Sequence, residues 1–303
     1  MNILSIRSAV AYGHVGNSAA VFPLQRIGHE VWPVYTVNYS NHTGYGQWQG
    51  PIIPAADVAS VIAGVGERGA FSLIDALLSG YQGSSEIAEV IVDAVAQVKE
   101  ANPAAIYACD PVMGNAKSGC HVADDIPPLL RSKVVPVADV ITPNQFELGY
   151  LVEQDATDLD STLRAAAAAR EMGPSVVLVT SVERPDAPED VVEMIAVDDA
   201  GAWIVQTPRL PFKRNGSGDV TAALFTGHYL NAGAAGAAGE SASAGGAASA
   251  GETVPIAEAL AKTASSVYDM LKLTFEADSR ELKLVEAQEF YANPRMQFSV
   301  EAL

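Results

Sequence analysis

Apolar and polar positions along the chain switch between a two-residue and a 3.6-residue period, and the switches outline its elements. Residues 2–7 and 31–37 are short apolar runs that read as buried strands. Between them, Asn17 or Ser18 can cap a helix that Gly28 ends. A helix is expected over 55–63 and a strand over 71–78. Ile87, Val90, Ile91, Ala94, Val95 and Val98 recur at helical spacing, so a helix with one core-facing stripe should run from Ser84 or Ser85 to about Lys99. Residues 104–109, 137–141 and 176–180 read as further strands, and 161–172 as an Ala-rich helix stopped by Gly173. Two runs, 191–197 and 202–206, flank Asp198-Asp199-Ala200-Gly201, a hairpin signal. One helix should follow Gly218. Another, capped by Thr253, carries Ile256, Leu260, Val267 and Leu271 on one face, and a last is expected near 279–288, before an irregular or stranded tail. Strands alternating with helices predict an α/β fold. Its centre is a Rossmann-type, mainly parallel sheet with helices on both faces, supplemented by a β-hairpin.

No repeat and no linker divides this pattern, so one domain spanning 1–303 is expected. Residues 231–252 stand apart: nineteen of the 22 are Ala, Gly or Ser, without an anchoring hydrophobe, which predicts a flexible insertion. No run of 18 uncharged apolar residues occurs and the first residues lack a signal-peptide pattern, so neither a membrane partner nor export is expected. Cys109 and Cys120 are the two cysteines, too few for a disulfide framework, and a reducing cytoplasm fits. The net charge of −18 disfavours nucleic acid. It also sets a condition on any polyanionic ligand, which would need local N–H donors and a divalent cation to approach.

The stretch Asn215-Gly216-Ser217-Gly218-Asp219-Val220-Thr221 offers such donors. Gly216 and Gly218 let backbone N–H groups come close to a ligand, and the following helix aims its positive end at the turn. Asp219, in the first helical turn, can accept a hydroxyl proton. An anion hole beside a carboxylate suits phosphoryl transfer to an alcohol; a capped helix after a Gly-rich loop would read the same way. Other chemistry-bearing residues sit where strands end. Ser8 and His14 follow the first strand, and Asp110 follows 104–109, placed to hold a cation–water cluster. Residues 38–48 are polar and aromatic and read as a binding flap, and 114–120 as a Gly-bounded lid. Asn144 and Glu147 share a helical face, or form a simple capping box. Two apparent motifs fail. Gly64-Val65-Gly66-Glu67-Arg68-Gly69 follows a helix, the wrong order for a dinucleotide site, and Lys117-Ser118 lacks the preceding glycine of a P-loop.

Taken together, Tyr12-Gly13-His14-Val15-Gly16-Asn17-Ser18-Ala19-Ala20, Ser40-Asn41-His42-Thr43, Leu78-Ser79-Gly80-Tyr81, Cys109-Asp110-Pro111-Val112-Met113-Gly114, Thr142-Pro143-Asn144 with Glu147, and Gly216-Ser217-Gly218-Asp219 resemble the bacterial pyridoxal kinases of the ribokinase-like superfamily. The resemblance covers the chain up to about Gly227 and resumes after the insertion; Ser217 departs from the superfamily's commoner Thr. It implies ATP-dependent phosphorylation of the 5′-hydroxyl of pyridoxal, with Mg²⁺, an open question over K⁺, and a homodimer. Asp219 would be the base and the amides of Gly216, Ser217 and Gly218 the anion hole. Ser8, Thr43, Gly44, Tyr81 and Cys120 would hold the vitamer. Asp110, Thr142, Asn144, Glu147 and Thr180, with the segment Thr207, Pro208, Arg209 and Leu210, would face ATP, and Asp110 and Glu147 the metal. Cys120, near Lys117 in sequence, is either a thiol of lowered pKa that adds to the aldehyde of pyridoxal or an unreactive residue of the lid, whereas Cys109 should be buried and inert. A hydroxymethylpyrimidine kinase on the same fold, and a vitamer-binding protein without turnover, are the competing readings.

Overall fold

The sheet grows outward from β1 (Asn2–Tyr12), in which every residue from Ile3 to Val10 is buried, as expected for a strand covered on both faces. The structure, a computed structural model, describes residues 1–242 and 254–303. β1 pairs in parallel with β2 (Glu30–Asn41) on one side and β3 (Ala76–Ser79) on the other. β4 (Ile106–Cys109), β7 (Val140–Ile141) and β8 (Val176–Val182) extend the parallel part. β9 (Val191–Asp198), β10 (Gly201–Pro208) and β11 (Val300–Ala302) add an antiparallel edge, in the order β11-β10-β9-β8-β7-β4-β3-β1-β2. β5 (Gly114–Asn115) and β6 (Gly119–Cys120) form a separate small hairpin.

Successive side chains on each strand point to opposite faces, and each face has its own helical cover. Leu4, Leu77, Val177 and Ile204 pack with α2 (Ala55–Glu67), α3 (Glu86–Ala101), α4 (Ile126–Leu129), α5 (Gln145–Val152) and α6 (Leu159–Glu171). Ile3, Leu78, Leu178 and Trp203 pack with α1 (Asn17–Arg26), α7 (Ser217–Ala242) and α8 (Pro255–Glu276), over which α9 (Gln288–Ala292) lies. The expected α/β class, parallel sheet and β9–β10 hairpin are thus observed. Among the described residues no helix is long and apolar enough to cross a membrane.

Three local expectations need correction, and a fourth takes a definite form. Residues 71–78 are not one strand: Ala70–Leu73 form a 3₁₀ turn and the strand begins at Ala76, because a short apolar run suits a packed turn as well as a strand. Residues 279–287 are not helical. Leu282 and Leu284 are both buried, two apart, a spacing that favours extended chain over helix. The segment 114–120, read as a lid, takes the form of the β5–β6 hairpin. Lastly, α7 runs on through Ala242, so the first part of the expected insertion at 231–252 is helical. An anchored helix needs no new nucleus, and alanine is the best residue to propagate it. Residues 243–252 and the expected cap Thr253 lie outside the described residues. α2 takes in Gly64 and Gly66, consistent with rejecting the dinucleotide pattern there.

The layer under α7 contains a pH-sensitive point. His228 is buried, its Nε2 has no hydrogen-bond partner, and burial, with Lys262 and His29 nearby, pulls its pKa down to about 4. A histidine held neutral in the fold contributes stability above its unfolded pKa, which is lost as pH falls toward the folded value. Between pH 7 and pH 5 the protein should lose about 2 kcal/mol through this group. Urea unfolding of the parent and of His228→Gln at the two pH values checks this: the parent's change from pH 7 to pH 5 should be less favourable than the variant's by about 2 kcal/mol.

Candidate active site

A cavity of about 800 Å³ opens where β1, β3, β4, β7 and β8 end, the edge at which open α/β sheets bind ligands. On one wall β1 supplies Ser8 and the turn after β3 supplies Tyr81, with Thr43 from the flap. Asp110, Thr142, Asn144 and Glu147 follow β4 and β7, and Thr180 comes from β8. The opposite wall carries Thr207, Pro208, Arg209 and Leu210. Gly216, Ser217, Gly218 and Asp219 close one end. Lys117, Arg209, Lys213 and Arg214 line it too and match the four carboxylates of Asp110, Glu147, Glu183 and Asp219, a charge-balanced lining in an acidic chain.

The turn before α7 is locked from behind. Gly216 has φ +87°, and a Cβ there would lie 1.8 Å from the carbonyl oxygen of His14, so neither the conformation nor the space admits a side chain. Gly218 has nothing within 4 Å of its missing Cβ and faces open cavity. Ser217 begins the helix and donates from its Oγ to the Arg214 carbonyl at 3.1 Å. The first-turn N–H groups of α7 lack helical acceptors and are available to an anion, with Asp219 beside them.

Sequence reading missed the residue behind Asp219. Arg7, fully buried on β1, donates from Nη2 to Asp110 Oδ2 at 2.7 Å and to Asp219 Oδ1 at 2.5 Å. Burial opposes its charge, but the two carboxylates together hold its pKa above the ordinary value. Burial pushes Asp110 up to about 6 although Arg7 pulls the other way. Asn17 fixes the strand around Arg7. Its Nδ2 donates to the carbonyls of Ser5, Arg7 and Val34, and its Oδ1 accepts from Ser5 Oγ at 2.6 Å. The register with β2 shifts between Arg7 and Ala9, which accounts for backbone carbonyls that need a side-chain donor.

The expected capping box is present: Asn144 Oδ1 accepts from the Glu147 amide and Glu147 Oε2 from the Asn144 amide. Glu147 Oε1 also accepts from the amides of Met113 and Gly114, at 2.9 and 3.2 Å. Glu147 therefore ties the base of the β5–β6 hairpin to α5. Burial, with Asp110 close by, pushes its pKa up to about 8. Among the described residues no group of three His, Cys, Asp or Glu side chains is arranged to hold a metal. Asp110, with Oδ1 not engaged by Arg7, and Thr142, whose buried hydroxyl has no partner, make an all-oxygen pair suited to a hard cation that keeps several waters.

The flap is clasped from the far end of the chain. Glu281 accepts from the Tyr45 hydroxyl and from the His14 amide, and the Arg280 guanidinium lies 3.6 Å above the Tyr45 ring. Neither Arg280 nor Glu281 carries a local sequence signal for this role. Gly44 lies behind the cavity lining, against His42 and Asn215, and the His14 ring turns to the Ser18 carbonyl. Cys120 is the clearest departure. It is exposed and absent from the cavity lining, where His121 stands instead. Its pKa is raised by partial burial and by Glu147 and Asp124, opposite to the expected lowering by Lys117. Cys109 is buried and pushed up to about 12, as an inert thiol should be.

This fold, with a helix terminus of free amides and a carboxylate in that helix's first turn at one end of the cleft, is the arrangement of a phosphotransferase class. A family model described as phosphomethylpyrimidine kinase matches residues 72–264. The chain is 66% identical to the pyridoxal kinase PdxY of Corynebacterium diphtheriae over 100% of both chains, and 50% identical to that of Rubrobacter xylanophilus over 99% of this chain and 97% of the relative. The solved structure of the Leishmania donovani pyridoxal kinase in complex with ADP and pyridoxamine superposes with a TM-score of 0.86 at 27% identity, covering 100% of this chain and 99% of that one. The chain belongs to the pyridoxal kinases, within the wider family that the phosphomethylpyrimidine kinase model describes.

The two glycines of the turn should separate in experiment. Gly216→Ala should lower stability by at least about 2 kcal/mol, since a left-handed backbone and a blocked Cβ act together. Gly218→Ala should melt like the parent yet bind nucleotide more weakly. Thermal melts and nucleotide titrations of both variants check the contrast.

Proposed function

We propose that the chain is an ATP-dependent pyridoxal kinase that transfers the γ-phosphoryl group to the 5′-hydroxyl of pyridoxal. The observation that carries this reading is Asp219, held at the cavity end in the first turn of α7 beside unpaired amides. The hydroxyl to be phosphorylated lies against Asp219, whose carboxylate takes its proton as the new O–P bond forms. The Gly216–Gly218 amides stabilise the charge on the transferring group. Ser8 and Thr43 hydrogen-bond the pyridine ring and Tyr81 stacks on it, while Thr207 to Leu210 and Thr180 border the nucleotide. Asp110 and Thr142 would hold Mg²⁺, with Glu147 acting through the loop it anchors. The cation, when bound, supplies charge neutralisation on the phosphates. The family resemblance supports a homodimer, and the two free cysteines support a reducing, cytoplasmic location.

Full-length identity to several pyridoxal kinases favours pyridoxal over hydroxymethylpyrimidine as the acceptor, and the matched family model, described as phosphomethylpyrimidine kinase, is the ground for testing a pyrimidine beside it. Comparing kcat/KM for the two decides between them, and a preference for hydroxymethylpyrimidine would overturn the proposal. Asp219→Asn should reduce kcat by about 10²–10⁴-fold while nucleotide still binds. A folded Asp219→Asn protein with near-normal kcat would remove Asp219 from the role of base. Because Cys120 lies off the cavity, Cys120→Ser should change kcat/KM for pyridoxal and pyridoxine by the same factor. A selective loss with pyridoxal would restore a covalent role for the thiol.

A further inference from the structure

Ser279 to Leu282, the short segment after α8, meets three separate parts of the cleft. Asp278, with φ +45°, turns the chain back from the helix end, and the Ser279 amide donates to the Thr274 carbonyl at 3.1 Å. The Ser279 carbonyl accepts from Arg214 Nε at 2.7 Å, beside the anion turn. Leu282 is buried in one cluster with Val220 and Leu224 of α7, its Cδ1 3.2 Å from where a Gly216 Cβ would stand. Glu281 divides its carboxylate between the other two parts. Oε1 accepts from the Tyr45 hydroxyl of the flap, and Oε2 accepts from the His14 amide after β1 at 3.1 Å. Gly13 leaves the space for this, since a Cβ there would lie 2.3 Å from Oε2.

Tyr45 is held on every side by this arrangement. Its hydroxyl is bound by Glu281, the Arg280 guanidinium covers its ring, and the Tyr12 ring meets it edge-on at 6.0 Å. Tyr45, Arg280 and Glu281 do not line the cavity, but His42 and Thr43 do. All of the flap residues concerned belong to one tight turn: Thr43–Tyr45 is a single 3₁₀ turn, capped by His42 Nδ1 accepting from the Gly44 amide at 3.0 Å. Fixing Tyr45 therefore fixes His42 and Thr43. We propose that Glu281 is a positioning residue for the vitamer, which through Tyr45 sets the turn 42–45 at a fixed distance from the anion turn braced by the same segment. This rests on reading the cleft as a kinase site. The ring is then held from the flap while its hydroxyl must reach Asp219, and an error of about 1 Å between the two can cost about 10²-fold in rate.

The test uses Glu281→Ala, Tyr45→Phe, the double variant and Glu281→Gln. Initial rates give kcat and KM for pyridoxal and for ATP, and amide hydrogen exchange over 38–48 and 215–225 is followed without substrates. Glu281→Ala should raise KM for pyridoxal about tenfold, the size expected from a lost hydrogen bond to a charged group. KM for ATP should stay within about twofold, because the Ser279 carbonyl and Leu282 still brace the anion turn. Exchange should quicken over 38–48 and not over 215–225. The double variant should be no worse than Glu281→Ala, since both changes break the same bond. Glu281→Gln keeps an acceptor for Tyr45 and should recover most of the loss. An unchanged KM for pyridoxal, an equal rise in both KM values, or a double variant equal to the product of the single effects would overturn the proposal. Should Glu281→Ala not fold, Tyr45→Phe, which removes only a hydroxyl, decides: parent-like KM for pyridoxal with parent-like exchange over 38–48 would overturn it. A parent protein that does not phosphorylate pyridoxal would sink the kinase reading instead, and exchange over 38–48 would still judge whether Glu281 fixes the turn.

Discussion

The bond from Arg7 to Asp110 and Asp219 is the constraint on which the cleft depends. It joins the central strand β1 to the end of β4 and to the first turn of α7. Charges this deep are costly to leave unpaired, so the three elements must meet in one arrangement or not at all. The surrounding features serve that arrangement. Asn17 satisfies the carbonyls freed where β1 slips against β2, Gly80 leaves space for the guanidinium, and Gly216 lets the anion turn press onto the His14 carbonyl. A register slip in β1 would turn Arg7 to the other face of the sheet and remove the counter-charge from both acids.

An acidic protein that handles ATP must overcome a repulsive far field, and the cleft does so at short range. Backbone amides at a helix terminus carry partial positive charge without a mobile side chain, and Lys117, Arg209, Lys213 and Arg214 offset the four carboxylates of the lining. The parts that must admit substrate are held differently from the floor. The flap hangs on the Tyr45–Glu281 contact and the stacked Arg280, and the β5–β6 hairpin hangs on the Met113 and Gly114 amides bound to Glu147. A buried floor and separately anchored covering segments together suit a reaction in which positioning dominates and water must be kept out.

How much of this was legible in the sequence depends on the range of the interaction. The Gly216–Asp219 turn, the capping box of Asn144 and Glu147 and the β9–β10 hairpin are local patterns, and each was readable from a few consecutive residues. Sixteen of the eighteen expected site residues line one cavity because strand ends converge in this class of fold; Gly44 and Cys120 do not. Arg7 escaped notice because it reads as the polar end of an apolar strand, and its partners lie 103 and 212 residues away. Glu281 escaped for the same reason, bridging to Tyr45 across 236 residues. Cys120 was misjudged because nearness in sequence to Lys117 says nothing of the carboxylates that Glu147 and Asp124 bring toward it in space.

The claim that this cleft moves a phosphoryl group onto one particular oxygen is tested most directly by the product. Incubation with ATP and pyridoxal, followed by ³¹P NMR, should show a single new phosphomonoester coupled to the 5′-methylene protons, formed in step with ADP. Release of inorganic phosphate alone, or a phosphoryl group on any other oxygen, would contradict the account.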